Sequence, residues 1–355
     1  MDKLHTLYIE WQNLQPLNER KRYLLSQRFS VDYNFNSNHI EGNTLTYGQT
    51  ELLLLFGKVT GEGDLKDFVD MKASQVGVKM MSEEAHLKDK PLTQNFIRQL
   101  HKTLLREDYT VYRNLPGGIT TSYTIHAGQY KTRPNSVITR YGDRFEYASP
   151  EETPALMTSL VDWYNEAEKS GQYTPVELAA LFHYRYIRIH PFEDGNGRIA
   201  RLMVNYILAR HDWPMIVVRS RNKHEYLEAL HQSDMEVGAS PSEGSQASLV
   251  KIKHFLRYFK SLVIDELKYN IAFTKETSEN VWWYDGQKIV FRSASTPMLL
   301  QSMHDNPDIT IGGLAIKAEI SVAAVNKQLR QLLKKGYIQR SESDGSWRVF
   351  AMSSI

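Results

Sequence analysis

The sequence contains no cysteine among its 355 residues. Disulfide bonds, thiolate metal sites and cysteine nucleophiles are therefore excluded. A long apolar stretch is also missing, because the longest run, residues 52–56, is far shorter than the roughly 20 residues of a transmembrane helix. The opening residues carry charge early and have no apolar segment of the kind found in signal peptides. We therefore expect a soluble, cytoplasmic protein with no membrane partner.

The chain also has little net charge, +2 in total. A balance this close to neutral gives no reason to expect the whole protein to bind nucleic acid, although a local basic patch stays open. The length exceeds one typical hydrophobic core and predicts two or three domains. We assign residues 1–110 to an N-terminal helical region, 111–265 to a central core, 266–294 to a linker or hairpin, and 295–355 to a C-terminal domain.

Helical periodicity dominates the first 270 residues. Residues 64–84 place apolar side chains at helical spacing. The stretches 91–105, 150–170 and 174–189 follow the same pattern, and each begins near a proline with Ser or Thr beside it. These features predict a helical protein with several well-marked helix starts.

The pattern changes between residues 115 and 147, where glycines and short β-prone runs replace the helical spacing. Residues 136–139 and 144–147 flank the turn sequence Tyr141-Gly142-Asp143. Two such runs around a short turn predict a β-hairpin.

The last 60 residues carry three helical stretches followed by two strands, the order of a winged helix-turn-helix. We expect the helices at 296–304, 312–318 and 321–335, and the strands at 337–340 and 347–350. The basic residues suited to DNA phosphates are Lys327, Arg330, Lys334 and Lys335. Glu342 and Asp344 at the wing tip would repel DNA, and winged helices also dock proteins, so both kinds of partner stay open.

The stretch HPFEDGNGRIAR, residues 190–201, concentrates polar groups at a helix break. Pro191 disfavours helical geometry at His190, so the preceding helix is predicted to end there. Gly195-Asn196-Gly197 predicts a tight turn at the start of the next helix. Free backbone N–H groups and the helix dipole make such a turn a binding site for anions.

The charged side chains of this stretch extend the anion site into a reaction centre. Arg198 and Arg201 lie three residues apart and suit a di- or triphosphate. Asp194 fits beside them if Mg²⁺ links its carboxylate to phosphate oxygens. His190 is a candidate general base near neutral pH. The residues together predict a nucleotide phosphate, a metal ion and a base for an incoming hydroxyl group.

This string resembles the signature of the Fic family, HPFx(D/E)GNGRxxR, and matches it at every fixed position. The resemblance implies a mainly α fold: a Fic-type helical bundle with a β-hairpin flap, followed here by a small α+β winged helix-turn-helix domain. It also implies transfer of AMP from ATP to a Ser, Thr or Tyr hydroxyl of a target protein. The implied roles are as follows: His190 deprotonates the hydroxyl, Asp194 holds Mg²⁺, Gly195, Asn196 and Gly197 cradle phosphates, Arg198 and Arg201 bind the β- and γ-phosphates, and Phe192 anchors the loop.

Two further stretches are similar to the family. HAGQYKT, residues 126–132, with the hairpin after it resembles the flap that captures the target chain as an added strand. Val137 and Ile138 are the candidates for its pairing edge, and a plain surface hairpin is the alternative. RNKHEYLEAL, residues 221–230, resembles the helix behind the adenine, with Tyr226 as the candidate contact and a core position as the alternative.

A third stretch, SNHIEGNTLT, resembles the family's inhibitory motif (S/T)xxxE(G/N) through Ser37, Glu41 and Gly42. The resemblance implies that Glu41 pairs with Arg201 and removes the clamp for the γ-phosphate, as in the class with an N-terminal inhibitory helix. In some relatives the same glutamate helps hydrolytic removal of AMP, so the reverse reaction stays open. The alternative is an ordinary helix end stopped by Gly42.

The resulting hypothesis is a Mg²⁺- and ATP-dependent protein adenylyltransferase, autoinhibited by Glu41. Expected partners are a hydroxyl-bearing target protein, the chain itself, and a second copy in a homodimer. The alternative from another class is a nucleotide-sensing, winged-helix transcriptional regulator, although sensing needs no base such as His190. A phosphocholine or other nucleotidyl transferase on the same core is a third alternative.

Overall fold

The computed structural model describes residues 2–59, 61–115, 119–138, 144–341 and 345–349, with the backbone alone described at 113–115, 119, 137–138 and 144. The helices are α1 Lys3–Gln12, α2 Glu19–Ile40, α3 Tyr47–Phe56, α4 Leu65–His86, α5 Gln94–Leu105, α6 Thr153–Ser170, α7 Pro175–Ile189, α8 Asn196–Arg210, α9 Lys223–Val237, α10 Pro241–Ser245, α11 Lys253–Lys275, α12 Ser295–Asp305, α13 Ile311–Lys317 and α14 Val322–Lys334. Antiparallel hairpins pair β1 Tyr109–Leu115 with β2 Ile119–Ile125, β3 Ser136–Ile138 with β4 Arg144–Glu146, β5 Val281–Tyr284 with β6 Gln287–Val290, and β7 Ile338–Arg340 with β8 Trp347–Val349. The predicted mainly α fold class is confirmed. In the described ranges no helix combines the length and the apolar character needed to cross a membrane.

Local capping chemistry sets the helix starts that the sequence predicted. At the start of α7, the hydroxyl of Thr174 accepts a hydrogen bond from the N–H of Glu177, whose carboxylate accepts one from the N–H of Thr174. Thr46 and Gln49 form the same reciprocal arrangement at α3. Each pair satisfies two backbone donors that a helix N-terminus would leave without partners.

The core is built around α7 and α8, which are buried along nearly their whole length. They pack against each other, α4 and α5 pack on α8, and α6, α10 and α11 pack on α7. The fold therefore presents the ends of two buried helices at one place. The loop between α7 and α8, residues 190–195, lies at that place.

Two predicted domain boundaries fall inside regular elements. The boundary at 265 lies within α11, because its buried stripe continues past that point through Leu267 and Ile271. The boundary at 110 lies within β1, in a β1–β2 hairpin that the periodicity did not predict. The polar segment 239–248 contains the short helix α10.

The C-terminal module has the three helices and the hairpin that the sequence predicted. Each element begins and ends within two residues of its expected bounds. Its buried residues, among them Leu300, Val325 and Leu329, form one cluster with Val31 of α2 and Tyr47 of α3. The module therefore packs directly on the helix that carries the proposed inhibitory residues. Glu342 and Asp344 lie outside the described residues.

The β5–β6 hairpin explains the adjacent tryptophans in the sequence. The ring of Trp283 packs edge-on against Tyr269 and Phe273 of α11. Trp282 belongs to the cluster that the C-terminal module shares with α2 and α3. The hairpin thus joins α11, the N-terminal helices and the C-terminal module.

A buried cluster of charges reinforces this junction around Arg219. Its guanidinium makes two hydrogen bonds of 3.0 Å to the carboxylate of Glu266 on α11. The Nη1 atom lies 2.9 Å from both Asp32 on α2 and Asp285 in the hairpin turn. These carboxylates raise the pKa of Arg219 well above its ordinary value, although burial by itself would lower it.

Candidate active site

The predicted helix break lies at His190. Helix α7 ends at Ile189, and His190 adopts a left-handed conformation with φ 51° and ψ 61°. Its N–H still donates to the carbonyl of Tyr186, at 2.9 Å. Left-handed backbone is uncommon for residues other than glycine, so the surrounding contacts must hold this turn in place.

Phe192 and His101 provide one of those contacts. Phe192 is fully buried, and its ring stacks on the His101 imidazole with 3.7 Å between centroids. The Nδ1 atom of His101 accepts the N–H of Gly128 at 2.8 Å, so Nε2 carries the proton and donates to the Asp194 carbonyl at 2.9 Å. Burial lowers the pKa of His101 to about 4, which keeps the ring neutral. The sequence offered no motif by which His101 could be found.

Asn196 closes the loop through its side chain. Its Oδ1 accepts the N–H of Phe192 at 3.0 Å, and its Nδ2 donates to the Phe192 carbonyl at 2.7 Å. Both of its side-chain polar atoms thus bond to the backbone of the loop. The phosphate contact expected of Asn196 stays a prediction.

The turn at 195–197 forms the predicted helix N-terminus. Helix α8 begins at Asn196, preceded by Gly195 in a left-handed conformation with φ 76°. The first backbone bond of α8 runs from Ile199 N–H to the Gly195 carbonyl at 3.1 Å. The N–H groups of Asn196, Gly197 and Arg198 precede that bond and form the cradle that anions favour.

Asp194 lies at the edge of this cradle. Its carboxylate accepts the hydroxyl of Tyr109 at 2.7 Å and the N–H of Gly195 at 2.7 Å, and Arg198 lies 3.4 Å away. Burial by itself would raise the pKa of Asp194, but Arg198 and these hydrogen bonds hold it below the ordinary value. The group is therefore ionised at neutral pH.

The structure brings Glu41 to Arg201 although 160 residues separate them. Arg201 Nη2 donates to Glu41 Oε1 at 2.7 Å and to the carbonyl of Ser37 at 2.9 Å. Its Nε donates to the Ser37 hydroxyl at 3.0 Å. The three residues that the motif resemblance singled out, Ser37, Glu41 and Gly42, lie at the C-terminal end of α2, where Gly42 has φ 98°.

The Glu41 carboxylate occupies the space above the cradle. A Cβ atom built on Gly197 would lie 2.5 Å from Glu41 Oε1 and 3.1 Å from Arg201 Nη1. Burial by itself would raise the pKa of Glu41, but Arg201, followed by Arg198, holds it below the ordinary value. A negative charge thus lies where an anionic ligand of the turn would bind.

His190 is half-buried and faces Tyr147, whose ring stacks on the imidazole with 3.9 Å between centroids. Burial, and next the ammonium of Lys131, lower the pKa of His190 to about 3, with the Ile187 carbonyl acting in the opposite direction. At neutral pH the imidazole is unprotonated. Sequence reasoning named neither Lys131 nor Tyr147 individually.

The predicted flap is described in part. Val137 and Ile138 lie in β3, where their backbones pair with Phe145 and Arg144 of β4. Their side chains, and the turn at 139–143, lie outside the described residues. Their role at a pairing edge stays a prediction.

Tyr226 is a buried residue of α9. The side chain lies on the inward face of that helix and is 3% exposed. Its hydroxyl is 2.8 Å from His183 Nε2, and its ring lies among His183, Phe255 and Tyr258. These contacts are those of a core position, and the adenine contact stays a prediction.

The donor set suits a magnesium ion only together with a ligand. In the described part of the chain, no group of three or more His, Asp or Glu side chains could hold a metal ion. Asp194 contributes one ionised carboxylate beside an anion cradle. This arrangement fits Mg²⁺, which proteins commonly bind through one or two carboxylates, waters and the phosphates of the substrate.

Comparison with known proteins agrees with this geometry. The sequence pattern of the Fic/DOC family matches residues 91–208, which contain the loop and its supporting helices. The pattern of the MarR family matches residues 294–350, the C-terminal module. A protein adenylyltransferase of Caenorhabditis elegans, fic-1, is 26% identical over 279 residues, 78% of this chain and 48% of that protein. The chain spans about half the length of the curated relatives it matches.

Solved structures extend the likeness beyond the motif. A Fic family protein from Desulfovibrio desulfuricans G20 is 17% identical and similar in fold, with a TM-score of 0.54 and coverage of 100% of this chain and 98% of that chain. A Fic domain containing signaling protein from Bacteroides thetaiotaomicron VPI-5482 is 52% identical, with a TM-score of 0.72. The match to the latter covers 78% of this chain and 98% of that one. With this identity over almost the whole of a Fic domain protein, the chain belongs to the Fic family.

Proposed function

We propose that this protein is an adenylyltransferase that moves AMP from ATP to a hydroxyl group of a target protein. The observation that carries the proposal is the loop at 190–201, where an unprotonated imidazole, an ionised carboxylate and two guanidinium groups surround a helix N-terminus. The name of the curated relatives, protein adenylyltransferase, supports the same activity.

His190 would act as the general base. The target oxygen attacks the α-phosphorus of ATP, the bond from that phosphorus to the bridging oxygen breaks, and pyrophosphate leaves. The hydroxyl proton passes to the imidazole. The pKa of about 3 leaves His190 unprotonated at neutral pH, and negative phosphate charge arriving beside it raises the pKa and makes it a stronger base.

The remaining groups of the loop would bind the phosphates. The N–H groups of Gly197 and Arg198 lie at the positive end of α8, and the guanidinium groups of Arg198 and Arg201 suit the β- and γ-phosphates. Asp194 would hold Mg²⁺, which when bound neutralises charge on the phosphates.

Glu41 would inhibit this reaction. Its carboxylate occupies Arg201 and lies 2.5 Å from the position of a Cβ on Gly197. A γ-phosphate at the same place would meet a like charge and lose its guanidinium partner, so ATP would bind in an unproductive pose. Whether Glu41 also supports hydrolytic removal of AMP is tested by following release of AMP from a modified protein.

The test uses ATP labelled in its α-phosphate, with Mg²⁺. We expect Glu41→Gly to raise self-modification strongly over the wild type, and Glu41→Gln, which keeps the shape without the charge, to raise it as well. Glu279→Gly, in an exposed turn, is the matched control and should change nothing. Adding His190→Ala to Glu41→Gly should abolish labelling. Absence of transfer by Glu41→Gly from any nucleotide, to itself or to a lysate, would end the proposal.

A second candidate function, DNA binding by the C-terminal module, is favoured by the surface of α14. Its basic residues Lys327, Arg330 and Lys334, together with Lys335, are all exposed. A salt-dependent gel shift on mixed DNA should weaken when Lys327 and Arg330 are replaced by Gln. If the DNA does not shift even at low salt, DNA binding is excluded, and a protein is the expected partner of α14.

A further inference from the structure

We propose that Lys131 and Tyr147 are positioning residues for His190, one holding its backbone and the other its ring. The inference rests on the proposed function, because the position of the imidazole matters for rate only if it takes the proton. Neither residue belongs to the signature stretch. Lys131 comes from the segment after β2, and Tyr147 directly follows β4.

Lys131 holds the backbone where the left-handed turn occurs. Its ammonium donates to the carbonyl of His190 at 2.9 Å and to the carbonyl of Ile189 at 3.1 Å. Its own N–H donates to the carbonyl of Pro191 at 2.9 Å. Three consecutive carbonyls, from the last residue of α7 to the second residue of the loop, are thus bound by one residue.

Asn135 completes this clamp. The third contact of the ammonium is the Oδ1 atom of Asn135, at 2.8 Å, and the amide of Asn135 donates to the Phe192 carbonyl at 3.0 Å. Lys131 is 3% exposed, and burial lowers its pKa to about 8. A buried ammonium is costly unless its protons are bound, and all of its three contacts serve the loop.

Tyr147 fixes the orientation of the imidazole. The two rings are nearly parallel, at 15°, with centroids 3.9 Å apart. The contact covers one face of the imidazole and leaves rotation of the side chain unfavourable. Replacement of Tyr147 by phenylalanine would keep the stacked ring and remove only the hydroxyl group. This variant therefore tests whether the ring is the part of Tyr147 that orients His190.

The charges with the largest effect on His190 come from three elements. Lys131 lies in the segment after β2, Glu41 at the end of α2, and Asp194 in the loop itself. Lys131 has the largest effect of the three, and it opposes protonation of the base at the same time as it holds the backbone.

Loss of either contact should slow transfer without weakening nucleotide binding. Lys131 and Tyr147 contact His190, and the contacts described for them do not include the cradle at 196–198. A displacement of about 1 Å at a reacting group costs on the order of 100-fold in rate. We therefore expect kcat to fall while KM for ATP stays close to that of the parent.

The experiment compares Lys131→Met, Lys131→Arg, Tyr147→Ala and Tyr147→Phe in the full chain carrying Glu41→Gly. We expect kcat to fall about 10- to 100-fold for Lys131→Met and about 10-fold for Tyr147→Ala. Lys131→Arg should recover part of the loss, and Tyr147→Phe should stay within about twofold of the parent. Lys251→Met, which removes a surface lysine bonded to the Glu236 carbonyl, is the matched control.

A second readout does not depend on catalysis. In protein with labelled histidine, the ring signal assigned to His190 by its loss in His190→Ala should shift and broaden in Lys131→Met and Tyr147→Ala, with the melting temperature recorded alongside. A parent-like signal and parent-like kcat in both variants would overturn the inference. If Glu41→Gly itself transfers nothing, the proposed function fails, while the His190 signal still decides whether these residues hold the ring.

Discussion

The carboxylate of Glu41 lies directly over Gly197, so that a methyl group on this glycine would come within 2.5 Å of Glu41 Oε1. Glu41 thus lies against a glycine of the cradle formed by the N–H groups of Asn196, Gly197 and Arg198. We predict that Gly197→Ala destabilises the wild type by about 1–3 kcal/mol through this overlap. Thermal unfolding measures the effect.

A double-mutant cycle tests whether the overlap with Glu41 causes the loss of stability in Gly197→Ala. In a chain that already carries Glu41→Gly, the added methyl no longer meets the carboxylate, and the nearest neighbour known for it is Arg201 Nη1, at 3.1 Å. The destabilisation should then shrink, with a coupling energy of about 0.5–3 kcal/mol. Equal losses in both backgrounds would mean that Glu41 does not occupy the cradle in solution.

Removal of the Ser37 hydroxyl should weaken the contact between Glu41 and Arg201. In Ser37→Ala, the buried Nε of Arg201 loses its acceptor at 3.0 Å, and an unsatisfied buried donor costs about 1–3 kcal/mol. The Ser37 carbonyl still binds Arg201 Nη2, so release should be partial. Self-modification should lie between the levels of wild type and Glu41→Gly.

The control for this variant is Ser30→Ala, on the same helix and away from Arg201. It should leave both self-modification and nucleotide affinity at the wild-type level. If Ser30→Ala activates as much as Ser37→Ala, a general loosening of α2 would explain the effect, and the specific contact to Arg201 would not.

The buried charge cluster around Arg219 predicts that replacing two neighbouring arginines will lower the free energy of unfolding by very different amounts. Arg219 is 3% exposed and holds Asp32, Glu266 and Asp285. Arg219→Leu should lower the free energy of unfolding by about 3–5 kcal/mol, because it leaves buried carboxylates without their cation. Arg221 also pairs with Asp285, at 2.6 Å, but its side chain is 32% exposed, so Arg221→Leu should cost about 1 kcal/mol or less.

Urea unfolding of the two variants makes that comparison. The shift in midpoint should be several times larger for Arg219→Leu at a similar slope. Similar shifts for both variants would show that the buried Arg219 contributes no more to stability than the partly exposed Arg221.

The contact between the C-terminal module and α3 should depend on pH. His304 of α12 lies 2.8 Å from Glu51 of α3 and 3.7 Å from Asp305. Burial by itself would lower the pKa of His304, but Asp305 and Glu51 raise it to about 9. Since the folded pKa exceeds the unfolded one, the stabilisation is complete below about pH 6.5 and is lost as the pH rises through 9.

The melting temperature should therefore fall across this interval in the wild type. Glu51→Gln removes the principal partner across the contact and should flatten the dependence, while lowering stability near neutral pH. A wild-type profile that already matches that of Glu51→Gln would contradict the ion pair as the source of the effect.

Local patterns predicted much of the fold. The helix starts at Thr174 and Ser321 follow from capping residues and apolar spacing within a few positions. The β1–β2 hairpin was missed, because its Thr-rich strands show no clear alternation of apolar and polar residues. The boundary predicted at 265 lies inside α11, whose continuous apolar stripe became evident only in its packing.

The loop itself was predictable in its type and partly in its chemistry. Pro191 and the glycine turn determine where the chain bends, and these are nearest-neighbour effects. Asn196 was assigned to phosphate, and its two side-chain bonds to the backbone of Phe192 were not foreseen. Spacing along a chain shows which groups are near one another, but it does not show which partner each group binds.

By itself, the sequence determined the helical class, the position of the helix break, the glycine turn at the start of α8 and the identity of the charged groups beside it. Each depends on residues within a few positions of one another. Tertiary structure alone decided that His101, Lys131 and Tyr147 support the loop, that Tyr226 lies in the core, and that Glu41 fills the cradle. Those contacts join residues far apart in the chain, and only the packing of α2, α7 and α8 brings them within bonding distance.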